Sequence, residues 1–388
     1  MKRCIRLFSV LGALWGAFFC SADPFYETRA ERGHVIHIVT FAPDEYSAHL
    51  EKARGGPFGR ASLLECAQRF PDTFAAINAG FFEIGEDADG FPSSTLVCGG
   101  EIFGIQTCPR SCVKIHEGKI SIIPCQWECF LQSGEQRIPI LFVNRQPKTQ
   151  EATLYTRAFG KRTGTAFGGC VEYLFDKDRR FLARVEHGNN EIPEEGYVAS
   201  LKKGGAPEST KVRLECTLFP GFDPRETASY VAGIPLIVWE GKVTQEVLHS
   251  QMSQSFVEEA HARTALGRRP DGTMVVVVAE HRSAHDPKTM TLEDLQTFLR
   301  NRGLNPSQLT LVQVRTLLKE ADPEHPVVGL SLLQLAGYMI SLGCVEAINL
   351  DGGKSSALYY EGRLVTGTES RPISDCIIFE RPSRVAPS

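Results

Sequence analysis

Apolar and polar positions along this chain fall mostly into short runs of strand length rather than into helical stripes. His34 to Phe41 (HVIHIVTF), Phe74 to Phe82, Met274 to Glu280, Ala347 to Leu350 and Cys376 to Glu380 each read as strands. Three hairpins share one device, an apolar or aromatic strand, then Glu-Gly, then another strand, at Glu117-Gly118, Glu240-Gly241 and Glu361-Gly362. Glycine accepts positive φ at such a turn without steric cost. A helical period is clear only in Ala61 to Arg69, Thr291 to Arg302, Ser307 to Glu320 and Ser331 to Leu342. Thr291 and Ser331 stand where an N-cap hydroxyl satisfies a free amide, and Gly303 and Gly343 follow as C′ glycines. Strands with a few segregated helices predict an α+β fold, mostly hairpins with packed helices in a single large domain. Residues 286–328 read as a helical insertion and Lys202 to Thr210 as a loop.

The first 22 residues are expected to stand apart from that fold. Lys2, Arg3 and Arg6 precede an uncharged, mostly apolar run, Leu7 to Phe19, and the small residues Cys20-Ser21-Ala22 follow. This is a secretory signal pattern with cleavage after Ala22, so residues 23–388 are expected to be exported to the periplasm, cell envelope or exterior. Lipidation of Cys20 is the competing reading, against which Phe19 is bulky where a small residue is wanted. The run is shorter than the ~20 residues a membrane span needs, and no other segment is long and apolar enough. Lysine plus arginine total 42 against 46 acids, a net charge of −4. Loss of the three signal cations makes that −7, and with no basic run the balance argues against nucleic acid as a partner.

Ten cysteines lie beyond the signal, an even count that suits disulfides in an exported chain. The cluster Cys108, Cys112, Cys125 and Cys129 also offers the two close pairs that a four-thiolate zinc site needs. Both readings stay open on sequence, as does the pairing.

Candidate chemistry gathers in four polar and glycine-rich segments, each where a strand gives way to a loop. They are Ile77 to Phe82, His261 to Gly267, Val278 to Ser283 and Ile348 to Ser356. Such positions are rigidly held yet reachable by solvent, which suits catalysis. The fourth is the most specific. An apolar strand delivers Asp351, Gly352 and Gly353 let the backbone turn and leave amides open, and Ser355 and Ser356 add hydroxyls. Amides and hydroxyls beside a carboxylate suit phosphate or sugar oxygens. The segment is no phosphate loop, because position 348 is isoleucine, and no nucleophile elbow, because position 357 is alanine.

Asn78-Ala79-Gly80-Phe81-Phe82, Ala262 to Gly267, Arg282, and Asn349 to Ser356 resemble, in order, the motifs of the phosphodiester glycosidase family, the family of the mannose-6-phosphate uncovering enzyme. Weaker similarity at Ile192-Pro193, Gly196 to Val198, Gly233 to Gly241 and Arg371-Pro372 extends the resemblance over most of residues 34–383. Three departures stand out. Lys354 replaces a third glycine, Glu280-His281 replace an aspartate and glycine before Arg282, and the helical pair is inserted.

The resemblance implies cleavage of a glycosyl-1-phosphodiester at its sugar side, with no cofactor. Arginine's planar fork suits the diester anion, so Arg263, Arg282 and Arg371 are its expected partners, with Thr264, Ser355 and Ser356. Gly80, Gly352 and Gly353 give the close backbone. Asn78 is expected on sugar hydroxyls or an acetamido group. Bond breaking passes through an oxocarbenium-like state, which a carboxylate stabilises or attacks while a second serves as acid or base. Asp351 takes the first role, Glu280 the second, with Arg263 as a further catalytic candidate. Two other readings compete. His281-x3-His285 with Glu280 and Asp286 would make a metal hydrolase, against which Pro287 breaks the helix this needs. A non-catalytic, disulfide-stabilised envelope protein that binds glycans or protein partners is the alternative.

Overall fold

A computed structural model describes residues 24–31, 34–85, 88–105, 110–145, 152–165, 168–218, 227–249, 252–281, 329–366 and 371–382. The signal pattern, Cys108, Arg282, His285, Asp286 and the helical insertion lie outside these residues. Strands dominate and helices are few, as the patterning predicts.

The part that carries the site is a two-sheet sandwich with a helix on each outer face. The first sheet has seven strands in the order Phe25–Glu31, His34–Phe41, Met274–Ala279, Arg263–Arg268, Glu346–Asn349, Leu236–Trp239 and Lys242–Val243. The second has five, Arg363–Leu364, Leu358–Tyr360, Thr73–Asn78, Asp375–Glu380 and Ser47–Lys52. All pairings in both are antiparallel. In Met274–Ala279, MVVVVA, every residue is buried, because both faces of the strand are covered. Val276 and Val278 pack towards Ile77 and Ile377 of the second sheet. Val275 and Val277 pack towards Leu335 and Met339 of the helix Leu332–Ser341. The second sheet turns Ala76 and Ile378 onto the helix Leu63–Ala67.

Local chemistry sets these boundaries. Ser331 and Gln334 form a reciprocal capping box at the start of Leu332–Ser341, and Gly343 closes it with φ +87°. At Glu117-Gly118 both residues take positive φ, 48° and 73°, as a type I′ hairpin turn requires. The other two Glu-Gly turns do the same, so glutamate shares the left-handed conformation that the sequence assigned to glycine alone. The first helix is shorter than its periodicity predicts, and the Phe74 to Phe82 run leaves the sheet at Asn78.

A five-stranded sheet (Glu101–Gly104, Leu96–Cys98, Ser229–Gly233, Arg110–His116, Lys119–Cys125) lies between this core and a second one. The second core is shared with a further seven-stranded sheet, which contains Trp127–Ser133 and Val212–Leu218. There Cys129 lies opposite Cys216 and the two form a disulfide across 87 positions. Closing so long a loop stabilises a fold by about 4 kcal/mol. The bond takes Cys129 out of the four-thiolate set, and Cys112 hydrogen-bonds Cys125. Among the described residues no helix is long and apolar enough to cross a membrane.

Candidate active site

Antiparallel pairing decides which strand ends meet. Arg263 pairs with Ala279 on one side, and Ala265 with Asn349 on the other. The start of Arg263–Arg268 therefore stands between the exits of two neighbouring strands. In the facing sheet, Asn78 ends its strand opposite Cys376, beside the entry of Asp375–Glu380. Backbone bonds join the two edges: the Asp351 amide donates to the Ala79 carbonyl at 2.9 Å, and the Ala79 amide to the Asp375 carbonyl at 3.2 Å. Asn78 is the junction. Its Nδ2 donates to the Asp351 carbonyl at 2.6 Å, across 273 positions. Its Oδ1 accepts from Thr264 Oγ1 at 2.7 Å and from the Ala357 amide at 3.1 Å.

The Asp351 carboxylate sits where this junction turns into the 3₁₀ segment Gly353–Ser355. Oδ1 accepts from the Gly352 amide at 2.9 Å, and the Ser355 hydroxyl hydrogen-bonds the group. Burial is the largest influence and pushes the carboxyl up to about 6, against the pull of Ser355 and Arg371. Arg371 Nη2 lies 3.7 Å from Oδ2, with the two side chains 25% and 11% exposed. Its Nε donates to Ser355 Oγ at 3.1 Å, and its Nη2 donates to the same oxygen. The guanidinium lies over the Phe82 ring, 5.2 Å from its centre. Arg60 flanks the same ring at 5.9 Å and is paired with Asp89 at 2.9 Å. Among the described residues the buried Ser356 Oγ has no hydrogen-bond partner.

The four motifs thus reach one edge of the sandwich, yet several side chains point elsewhere than the sequence suggested. Arg263 is 2% exposed. Its Nε donates to Leu330 O at 2.9 Å and its Nη2 to Phe256 O at 2.7 Å and Glu259 O at 3.2 Å. Burial lowers its pKa to about 10, so it stays charged at neutral pH while clamping the Gln254–Glu258 helix and Leu330. Those donors are therefore not presented to a phosphate. Thr264 and Asn78 are buried and bonded to each other, so they position the Asp351 turn rather than face a sugar.

The open amides expected at the double glycine are occupied as well. Gly352 N–H turns to Asp351, and Gly353 N–H donates to Ala262 O at 2.7 Å. Glycine at 352 answers a close approach instead, because a Cβ there would lie 2.8 Å from Ala262 O. The Gly80 amide donates to Asp375 Oδ1 at 2.5 Å. Glu280 leaves Met274–Ala279 on the far side of Arg263–Arg268 from Asp351 and meets His37 Nε2 at 2.6 Å, both side chains buried. Tyr26 Oη lies 2.8 Å from the other ring nitrogen of that histidine. His281 Nδ1 accepts from the Gly329 amide at 3.4 Å. Among the described residues no cluster of histidine, cysteine and acid side chains has the makings of a metal site. Phe82 and the buried Asp375 were missed. Only the family-like Phe81-Phe82 pair hinted at the first, and a lone acid at a strand entry leaves no periodic signature.

Residues 180–307 and 309–380, more than half of the chain, match the phosphodiester glycosidase family. An uncharacterized protein of Rickettsia conorii is 30% identical over 279 residues, which cover 69% of this chain and 96% of that protein. The fold is similar to that of a hypothetical protein from Synechocystis, with a TM-score of 0.65 at 18% identity over 92% of this chain and 61% of that chain. A Burkholderia pseudomallei protein matches with a TM-score of 0.62 at 16% identity, over 89% of this chain and 74% of its own. A family match running through the Asp351 and Arg371 segments, with a relative matched over nearly its whole length, places this chain in the phosphodiester glycosidase family, a family of glycosidase-type hydrolases.

Proposed function

We propose that this protein hydrolyses glycosyl-1-phosphodiesters at the sugar side, with Arg371 on the phosphate and Asp351 facing the anomeric carbon. The observation that carries this reading is the cluster of Asp351, Ser355 and Arg371. It is a desolvated carboxyl beside a partly open guanidinium, joined through one hydroxyl. A phosphodiester keeps one negative charge, which Arg371 would neutralise and bond. As the bond from C1 to the phosphate oxygen lengthens, positive charge grows on the sugar ring, and ionised Asp351 stabilises it. The bonding pair leaves with the phosphomonoester, which needs little protonation. Water adds at C1 and loses its proton to solvent. Phe82 lies against Arg371 and Lys354 is exposed on the Asp351 turn, which makes both candidates to meet the group beyond the phosphate. The signal pattern supports placing this chemistry outside the cytoplasm, on envelope glycans or glycolipids.

The test is a panel of sugar-1-phosphodiesters, with release of free sugar and phosphomonoester followed by phosphorus NMR. Hydrolysis should gain with pH through about 6 as Asp351 ionises. No turnover of any member by folded wild type would overturn the reading. Arg263→Ala separates scaffold from chemistry. Loss of three bonds from a buried guanidinium should lower unfolding free energy by about 3 kcal/mol. Turnover per folded molecule should fall less than tenfold. Full stability with lost turnover would return Arg263 to the reaction.

A further inference from the structure

Asp375 enters the argument through backbone geometry. It opens its strand opposite Lys52 and is 1% exposed. Oδ1 accepts the Gly80 amide at 2.5 Å, and Oδ2 takes the Ser374 hydroxyl. The fit is tight, since a Cβ on Gly80 would lie 2.9 Å from Oδ1. Ala79, one residue before, gives its carbonyl to the Asp351 amide and takes the Asp375 carbonyl with its own amide. The backbones of two buried aspartates thus bracket one residue. Lys52, 3% exposed, rests its Nζ on Gly90 O at 3.1 Å and Pro57 O at 3.4 Å, within electrostatic reach of Asp375.

We propose that Asp375 is a positioning residue. It holds the Asn78–Gly80 bend against the Asp351 turn and sets its carboxyl within electrostatic reach of the reacting acid, with Lys52 on its other side. This rests on the glycosidase reading of Asp351. A like charge across a desolvated gap makes a carboxyl harder to ionise and more basic once ionised. A more basic carboxylate serves an electron-poor ring carbon better.

The surroundings of Asp351 are specific enough to test this. Arg371 faces it from its own segment, and Ser355 and Lys354 stand on its turn. Arg263, on the neighbouring strand, commits its donors to carbonyls, and Glu280 is paired with His37. Burial pushes the Cys98 thiol up, and a hydrogen bond to Cys66 followed by burial pushes Cys376 up.

The experiment titrates Asp351 directly by carboxyl carbon-13 NMR, in parallel with the acid limb of kcat/KM. Asp375→Asn keeps the shape and the acceptor for Gly80 but removes the charge. It should move the Asp351 midpoint down by about half a pH unit. Lys52→Met removes the opposite charge and should move the midpoint up. A purely structural role would not yield shifts of opposite sign. Unchanged midpoints in folded variants, or two shifts in one direction, would overturn the proposal. The titration needs no turnover, so an inactive wild type would count against the proposed function alone.

Discussion

Asp351→Asn should lose hydrolysis by about a thousandfold or more and, at pH 7.5, fold more stably than the wild type. The activity loss follows from removing the one carboxylate placed against Arg371 and Ser355. The stability gain follows from linkage. Burial raises the Asp351 carboxyl from 3.8 in the unfolded chain to about 6 in the folded one, so the native state binds this proton more readily. Its favourable contribution is complete below about pH 4 and is lost as pH rises through about 6. Above that, the fold carries an ionised group in a desolvated site at a cost of about 3 kcal/mol. Asparagine keeps an acceptor for the Gly352 amide and drops the charge. Urea unfolding should therefore show Asp351→Asn gaining about 2–3 kcal/mol at pH 7.5 and nothing at pH 3.5. A variant less stable than wild type at the higher pH would contradict the burial argument, whatever its activity.

Arg371→Ala carries the second large effect. Its guanidinium is oriented by Ser355 Oγ and the Phe82 face, and it leaves an open side towards solvent. Removing a charge-assisted, forked contact to an anion costs roughly 3 kcal/mol, about a hundredfold in kcat/KM. Arg371→Lys should recover little of this, because an ammonium replaces neither the fork nor the stacking. The acid limb should also move upward in Arg371→Ala, since the cation that favours ionised Asp351 is gone. Steady-state kinetics from pH 4.5 to 8 on one hydrolysed phosphodiester reads both. Unaltered kcat/KM would place the anion elsewhere.

Much of this was legible before the fold. Paired runs, Glu-Gly turns and the capping serine of Ser331 are local signals, and local chemistry decides them. The four motifs were legible as segments where a strand gives way to a loop, but which strand ends meet comes from the pairing. Side-chain direction was not legible, because it depends on what lies across the sandwich. Asn78, Thr264 and Arg263 carry the polar types of ligand-binding residues, yet their partners are a turn, another side chain and three carbonyls. The double glycine at 352 and 353 invited a cradle of amides, but the Asp351 carboxylate and the Ala262 carbonyl take them. Asp375 escaped notice because its meaning comes only from Gly80 and Ala79 in the facing loop.

The Asn78 junction has a practical corollary for altering what the protein accepts. Because it fastens the Asp351 turn to the opposite sheet, the acid is anchored independently of whatever forms the mouth. Arg60, beside the Phe82 ring, and Lys354, exposed on the Asp351 turn, take no part in that fastening. Substitution at Arg60 or Lys354 should therefore leave the Asp351 turn in register, whereas substitution at 78 or 264 should displace it.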